Sequence, residues 1–140
     1  YKWALMLRQP MREWTQGRVT LLGDACHPTL PFLAQGAVMA IEDGLVLARA
    51  LAANTGDHDA AFHSYEAERK ERTTRIVKGA EANLGRFHNP ALSDPTLAET
   101  YVNSEWEESK VRQRYEWLFT YDATSVPVSP DHSRPLVSTA

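Results

Sequence analysis

The sequence predicts an α/β fold in which two short strands are followed mainly by α-helices. Three observations carry that expectation. Val19-Thr20-Leu21-Leu22 is a short apolar, partly β-branched run closed by Gly23, the pattern of a strand buried on both faces. After a loop punctuated by Pro28 and Pro31, small and apolar residues recur at helical spacing. Ala37, Ala40, Ile41, Gly44, Leu45, Ala48 and Ala52 fall on one stripe suited to close packing on a sheet. A second helical period, from about His58 to Leu84, carries a charged face.

In chain order, Tyr1 to Leu7 is aromatic and apolar and reads as the first strand, ended by Arg8-Gln9-Pro10 because proline cannot continue a central ladder. Met11 to Gln16 is a short connection in which Trp14 packs on the domain, and Gly17 turns the chain into the Val19 strand. Gly23 permits a sharp turn, so Asp24 projects a carboxylate from the strand's carboxyl end, where ligands bind in open α/β sheets. Gly36 marks a helix start where backbone can approach a ligand closely. The free N–H groups there carry partial positive charge and suit an anion or an electron-rich carbonyl.

Asn54-Thr55-Gly56 ends that helix, and Asp57 is an N-cap for the next. The second helix buries Ala61, Phe62, Tyr65, Ile76 and Ala80. Its other side carries Glu66–Lys70, Glu68–Arg72 and Glu71–Arg75 in acid-first order, each pair worth roughly 0.2–0.5 kcal/mol, and reads as a solvated face. Gly85 to Pro95 is a loop. Asp94-Pro95 caps and opens a short helix through about Val102. Ser104 and Glu107 form a capping box for a last helix to about Phe119, with Trp106, Val111, Tyr115, Leu118 and Phe119 on its buried side. From Thr124 onward Ser, Pro and Thr dominate, and Ser129 to Ala140 reads as a disordered tail.

A chain of 140 residues is one domain's worth, and a net charge of −3 gives no reason to propose nucleic acid or a membrane surface as partner. No apolar run approaches the ~18 residues that span a bilayer, and no signal peptide is visible. One cysteine excludes an intrachain disulfide and fits a reducing cytoplasm. No metal site is expected, since a lone Cys without paired His spacing cannot assemble a usual zinc tetrahedron. Cys26 and His27 do not suit a nucleophile pair, because neighbours on an extended segment point to opposite sides. His27 reads as a packed, hydrogen-bonded loop residue and Cys26 as a small buried hydrophobe. Glu42 and Asp43 are expected to bond to the neighbouring helix through Arg69 or Arg72. His58, His63, His88 and His132 form no constellation.

Gly23-Asp24-Ala25, His27, Pro31, Gln35-Gly36 and Asp43 together resemble the second flavin-binding motif of the FAD-dependent aromatic hydroxylases, the class A flavoprotein monooxygenases. Cys26 stands where Ala is commoner, and Leu33 where many members have Gly. Leu30-Pro31-Phe32-Leu33-Ala34-Gln35-Gly36 is most similar to the salicylate hydroxylase and 6-hydroxynicotinate monooxygenase branch, and the resemblance covers roughly residues 1–123.

The resemblance implies the C-terminal fragment of an FAD/NAD(P)-binding, Rossmann-like domain. On that reading residues 1–14 end a substrate-binding sheet and return to the FAD-binding domain. Residues 15–123 complete that domain with its following helices, and residues 124–140 form a tail. The seven glycines offer no Gly-x-Gly-x-x-Gly, which the family places near its N-terminus, so a longer enzyme is expected.

Asp24 is implied to accept a hydrogen bond from a ribityl hydroxyl. Gly23, Pro31, Gln35, Gly36, Ala37 and Val38 are implied to meet the cofactor and the flavin edge, and no residue is given a catalytic role. The implied cofactor is FAD, with NAD(P)H as co-substrate and O2 consumed. Oxygen would pass through a flavin C4a-hydroperoxide to a small phenolic or hydroxylated N-heteroaromatic acid. The alternatives are a non-catalytic interaction module derived from the family, or a related flavin-dependent reductase or halogenase.

Overall fold

The computed structural model describes residues 4–128, and among these it has two very short strands and four α-helices. Strands β1 (Thr15–Gln16) and β2 (Val19–Thr20) pair antiparallel, Thr15 opposite Thr20 and Gln16 opposite Val19. Gly17, at φ +56°, makes the two-residue reversal between them. One 3-10 turn follows at Gly23–Ala25 and a second at Pro31–Leu33. Helices α1 (Gly36–Ala53), α2 (His58–Phe87), α3 (Pro95–Glu105) and α4 (Glu108–Phe119) complete the order, with a 3-10 turn at Pro90–Ser93 before α3.

Several sequence expectations hold. Gly56 lies beyond α1 at φ +86°, and the Asp57 carboxylate accepts from the Ala60 N–H at the start of α2. Asp94 caps α3 by accepting from Thr96 and Leu97 N–H, with Pro95 in the first turn.

Others do not. Ala4 to Leu7 form no strand, and the remainder of that proposed strand lies outside the described residues. Val19 is 63% exposed rather than buried on both faces, and its strand has a two-residue partner on one edge. The α2 helix runs through Gly85 to Phe87, three residues past the expected end. Ser104 sits inside α3, and α4 starts from Glu107 with no side-chain cap, so the capping box does not form. Phe119, placed on the buried side, is 81% exposed.

The largest correction concerns α1. Its buried face is Met39, Asp43, Val46 and Ala50, whereas Ala37, Ile41, Gly44, Leu45, Ala48 and Ala52 are exposed and Ala40 half-buried. Both faces repeat at helical spacing, and α2 takes the one that contains a carboxylate. Met39 shares a core cluster with Ile76 and Leu118, while Val46 and Ala50 share another with Trp14, Cys26, Ala61 and Tyr65. These pairings run in opposite chain directions, so α1 and α2 pack antiparallel. Each fully buried large side chain contributes roughly 1.5–3 kcal/mol.

Between the two apolar clusters the α1–α2 interface is ionic. Glu42 accepts from Arg69 Nη2 at 2.6 Å and from Arg72 Nε and Nη2 at 2.8 and 2.7 Å. Glu66, Arg69 and Arg72 are all buried, so the charged run of α2 is not a solvated face. Of the three expected intrahelical pairs, Glu66–Lys70 forms at 2.9 Å, while Arg72 turns to Glu42 and Arg75 stacks 3.8 Å over the Trp117 ring. The chain after α4 packs back. Arg49 donates to Ala123 O and Asn54 to Val128 O, and Val126 and Val128 join the first cluster. The proposed tail from Ser129 lies outside the described residues.

Candidate functional site

Gly23 anchors the corner on which the site is built. Its φ of +62° belongs to the left-handed region that favours glycine, and an added Cβ would lie 3.5 Å from Ala40 Cβ. Its N–H donates to Asp43 Oδ2 at 3.1 Å, and its carbonyl accepts from the Cys26 and His27 N–H groups at 3.0 Å each. With Gly23 held on both sides, the next residue is directed outward. Asp24 is exposed, and among the described residues its carboxylate takes part in no hydrogen bond, so it does not cap its own turn.

Behind the corner, Asp43 is a buried hub. Its Oδ2 also lies 2.6 Å from His27 Nε2, and its Oδ1 accepts from Arg69 Nε at 2.8 Å. Burial alone would raise the Asp43 pKa, but the hydrogen bonds from His27 and Arg69 outweigh it and hold the carboxyl below its ordinary range. Burial, with the Asp43 charge adding to it, pushes the Cys26 thiol up to about 12.

The 3-10 turn replaces the extended path expected here and brings the Cys26, His27 and Asp43 ligand-type atoms within 4.8 Å of one another. That trio is nonetheless poorly suited to a cation, because the Asp43 oxygens already hold a guanidinium and the thiol stays protonated. His27 is thus the packed, bonded residue expected, 5.3 Å from the Trp14 ring. Trp14 and Tyr65 complete the support, and Tyr65 Oη donates to Leu21 O at 3.1 Å. His58, His63 and His88 are exposed, and His132 lies outside the described residues.

The second wall comes from the loop after Pro31 and the start of α1. The turn closes through Ala34 N–H to Pro31 O at 3.0 Å, leaving Ala34 left-handed at φ 52°, and α1 then begins without a side-chain cap. The Gly36, Ala37 and Val38 N–H groups therefore find no partner among the described residues. Gly36 needs no left-handed φ, and a Cβ on it would meet only Thr29 Cγ2 at 3.6 Å, so neither strain nor crowding accounts for the glycine.

Between the walls lies an open cleft of about 820 Å³. Gly23, Asp24, Pro31, Gly36 and Ala37, five of the seven residues implicated by sequence, line it. Gln35 instead borders a second cleft of about 430 Å³ with Phe32, Asn83, Phe87, Trp106 and Tyr115, and half-exposed Val38 does not line the first cleft. Leu5, Leu22, Thr29, Leu30, Ala34 and Ala40 line it without having been anticipated. Of these, Leu30 and Ala34 lie in the Leu30-to-Gly36 stretch that carried the resemblance, and Ala40 stands one helical turn after Gly36. A free carboxylate opposite uncapped N–H groups fits a polyol chain leading to an electron-rich heterocyclic edge, the chemistry that FAD presents.

The family model described as an FAD binding domain matches residues 2–80. The 3-hydroxybenzoate 6-hydroxylase of Polaromonas naphthalenivorans (strain CJ2) is 38% identical over 125 residues, covering 86% of this chain and 30% of that protein. The 6-hydroxynicotinate 3-monooxygenase of Bordetella bronchiseptica is 50% identical over 84 residues, 59% of this chain and 22% of that one. Among solved structures, Klebsiella pneumoniae HpxO complexed with FAD and uric acid aligns with a TM-score of 0.62 at 35% identity, covering 76% of this chain and 26% of HpxO. The chain thus spans less than a third of the length of each of these proteins. On the matched family model and these relatives, the chain belongs to the FAD-dependent aromatic hydroxylases, the class A flavoprotein monooxygenases, and carries part of their FAD-binding fold.

Proposed function

We propose that this chain holds the ribityl chain and one edge of the flavin in an NAD(P)H- and FAD-dependent monooxygenase of the cytoplasm. The complete protein would hydroxylate a small phenolic or hydroxylated N-heteroaromatic acid, consuming O2. The observation that carries the reading is the unpaired, outward Asp24 carboxylate facing the same cleft as the uncapped first turn of α1.

Bound there, FAD would take reducing equivalents from NAD(P)H and deliver one oxygen atom of O2 to the ring, the other leaving as water. The chain's own part is binding and electrostatics. Asp24 accepts from a ribityl hydroxyl, and Gly23 sets the turn that aims it. Pro31 and Gly36 shape the path past the ring. The N–H groups of Gly36 and Ala37 face the pyrimidine edge, where negative charge grows on reduction, and stabilise it without reorganising. The related 3-hydroxybenzoate and 6-hydroxynicotinate enzymes support this substrate class by their names.

The test is Asp24→Ala in the full-length protein. Loss of a hydrogen bond to a charged group, worth about 1.5–3 kcal/mol, should weaken FAD retention at least about tenfold. Unchanged retention would overturn the role given to Asp24.

A further inference from the structure

The loop that borders the cleft is held from behind by α2, and one amide does most of the holding. Asn83 is 2% exposed, and its Nδ2 donates to Phe32 O at 3.0 Å. Its Oδ1 accepts from Arg86 Nη1 at 2.7 Å and from Tyr115 Oη at 3.0 Å. A guanidinium can only donate, so the atom that Arg86 meets is the amide oxygen. The orientation of the amide is therefore settled by its partners, and its NH2 must face the loop carbonyl. Arg86 is itself held, through Nε to Glu105 at 3.0 Å.

The rest of the loop's α2 side is built to match. Gly79 leaves room for Leu33, whose Cδ1 would lie 3.0 Å from a Cβ at that position, and the Phe32 ring lies 5.8 Å from those of Phe87 and His88. Large side chains thus face α2, whereas Pro31, Ala34, Gly36 and Ala37 border the cleft. Between the two sides Ala34 is held at φ 52°, a conformation that an alanine keeps only when its surroundings impose it.

We propose that Asn83 is a positioning residue for the flavin edge, keeping the Phe32 carbonyl turned toward α2 so that only N–H donors of the α1 first turn face the reacting ring. The inference rests on the proposal that this loop meets the flavin. A carbonyl oxygen released from Asn83 is free to swing toward the cleft, where its dipole opposes the negative charge that reduction places on the flavin edge. Asn83 touches neither cofactor nor substrate and acts through the loop.

The test uses the full-length flavoprotein. Asn83→Asp keeps both acceptor contacts, to Arg86 and Tyr115, replaces the donor to Phe32 O by a carboxylate oxygen and adds a negative charge. Tyr115→Phe keeps that donor and removes a neighbouring bond. Asn83→Ala, which adds no charge, is read as Asn83→Asp is.

The expected result for Asn83→Asp is FAD affinity within about threefold of wild type, with the flavin midpoint potential shifted more negative. Its kcat should fall by about tenfold at unchanged KM for the aromatic substrate. Tyr115→Phe should match wild type in potential and kcat. Wild-type potential and kcat in both Asn83 variants overturns the inference. So does an equal shift in Tyr115→Phe, or loss of fold in both Asn83 variants, since a positioning role requires folded holoenzyme. Asp24→Ala and Gly36→Ala, run alongside, separate the two levels. If neither disturbs FAD binding, the loop–flavin reading itself fails. If they do and Asn83→Asp changes nothing, only the inference about Asn83 fails.

Discussion

His27 Nε2 lies 2.6 Å from Asp43 Oδ2, and the same carboxylate oxygen accepts the Gly23 N–H at 3.1 Å. One buried side chain on α1 therefore closes both ends of the corner that presents Asp24. The opposite oxygen accepts from Arg69, so the corner is tied through α1 to α2.

Replacing Asp43 by Asn tests that coupling. It removes the negative charge facing buried Arg69, and breaking a buried pair costs about 3 kcal/mol. Urea denaturation should show a lower midpoint, and FAD retention should fall although residue 43 does not line the cleft. A wild-type midpoint would show that Glu42 alone satisfies Arg69.

The same group sets an acid limit. Asp43 and Glu66 are both held below their ordinary range, in each case because hydrogen bonds outweigh a burial effect that acts the other way. The bonds come from His27 and Arg69 to Asp43, and chiefly from Lys70 and backbone N–H groups to Glu66. A folded-state pKa below the unfolded one means that the folded form binds fewer protons. Their stabilisation is therefore complete above the unfolded values, about 3.9 and 4.3, and is lost as pH falls through the folded ones. Denaturation measured between about pH 6 and 3 should show stability falling below about pH 4, with a shallower fall in Asp43→Asn. Equal slopes would remove Asp43 from the acid transition.

Cys26 gives a prediction of opposite sign. Burial pushes its thiol up to about 12, so at pH 8 almost no thiolate forms. Iodoacetamide followed by peptide mass mapping should leave Cys26 unmodified in the folded protein and alkylate it in denaturant. Rapid labelling in the native state would contradict the burial seen here.

Gly36→Ala separates folding from binding. The position has φ outside the left-handed region, a Cβ there would make ordinary van der Waals contact with Thr29 at 3.6 Å, and alanine is the better helix former, by up to about 1 kcal/mol. Thermal stability should hold or rise. If the flavin approaches this backbone, FAD affinity should drop by about tenfold in the same protein. Equal affinity would mean that the cofactor keeps its distance from Gly36.

What the sequence revealed and what it hid divide along physical lines. The Gly23-Asp24 turn, the Asp57 and Asp94 caps and the Asp43–Arg69 pair were legible, because each depends on local chemistry or on residue types with few partners. The buried face of α1 was not. Ala37, Ile41, Gly44 and Leu45 make as regular a stripe as Met39, Asp43, Val46 and Ala50, and only the partner helix decides between them. Arg72 also fitted an intrahelical pair with Glu68, four residues away, and only the packing of α1 on α2 hands it to Glu42, thirty residues back in sequence. Asn83 had no signal at all, since its loop contact spans 51 residues.

The stripe that α2 leaves uncovered yields the last prediction. Val38, Ile41, Leu45 and Leu51 are 39%, 73%, 38% and 37% exposed along α1, with Leu5 and Val19 exposed at 61% and 63%. Exposed apolar side chains in this number drive association, and β2 leaves one edge unpaired among the described residues. Residues 1–140 expressed alone should therefore self-associate in sedimentation or light scattering. The cleft has only the walls supplied by this chain, so FAD titrated by fluorescence should bind more weakly than about 1 μM. A monodisperse monomer with sub-micromolar FAD affinity would show that this segment builds a complete flavin site by itself. The ribityl and flavin-edge contacts would then suffice without any from the adenine and pyrophosphate.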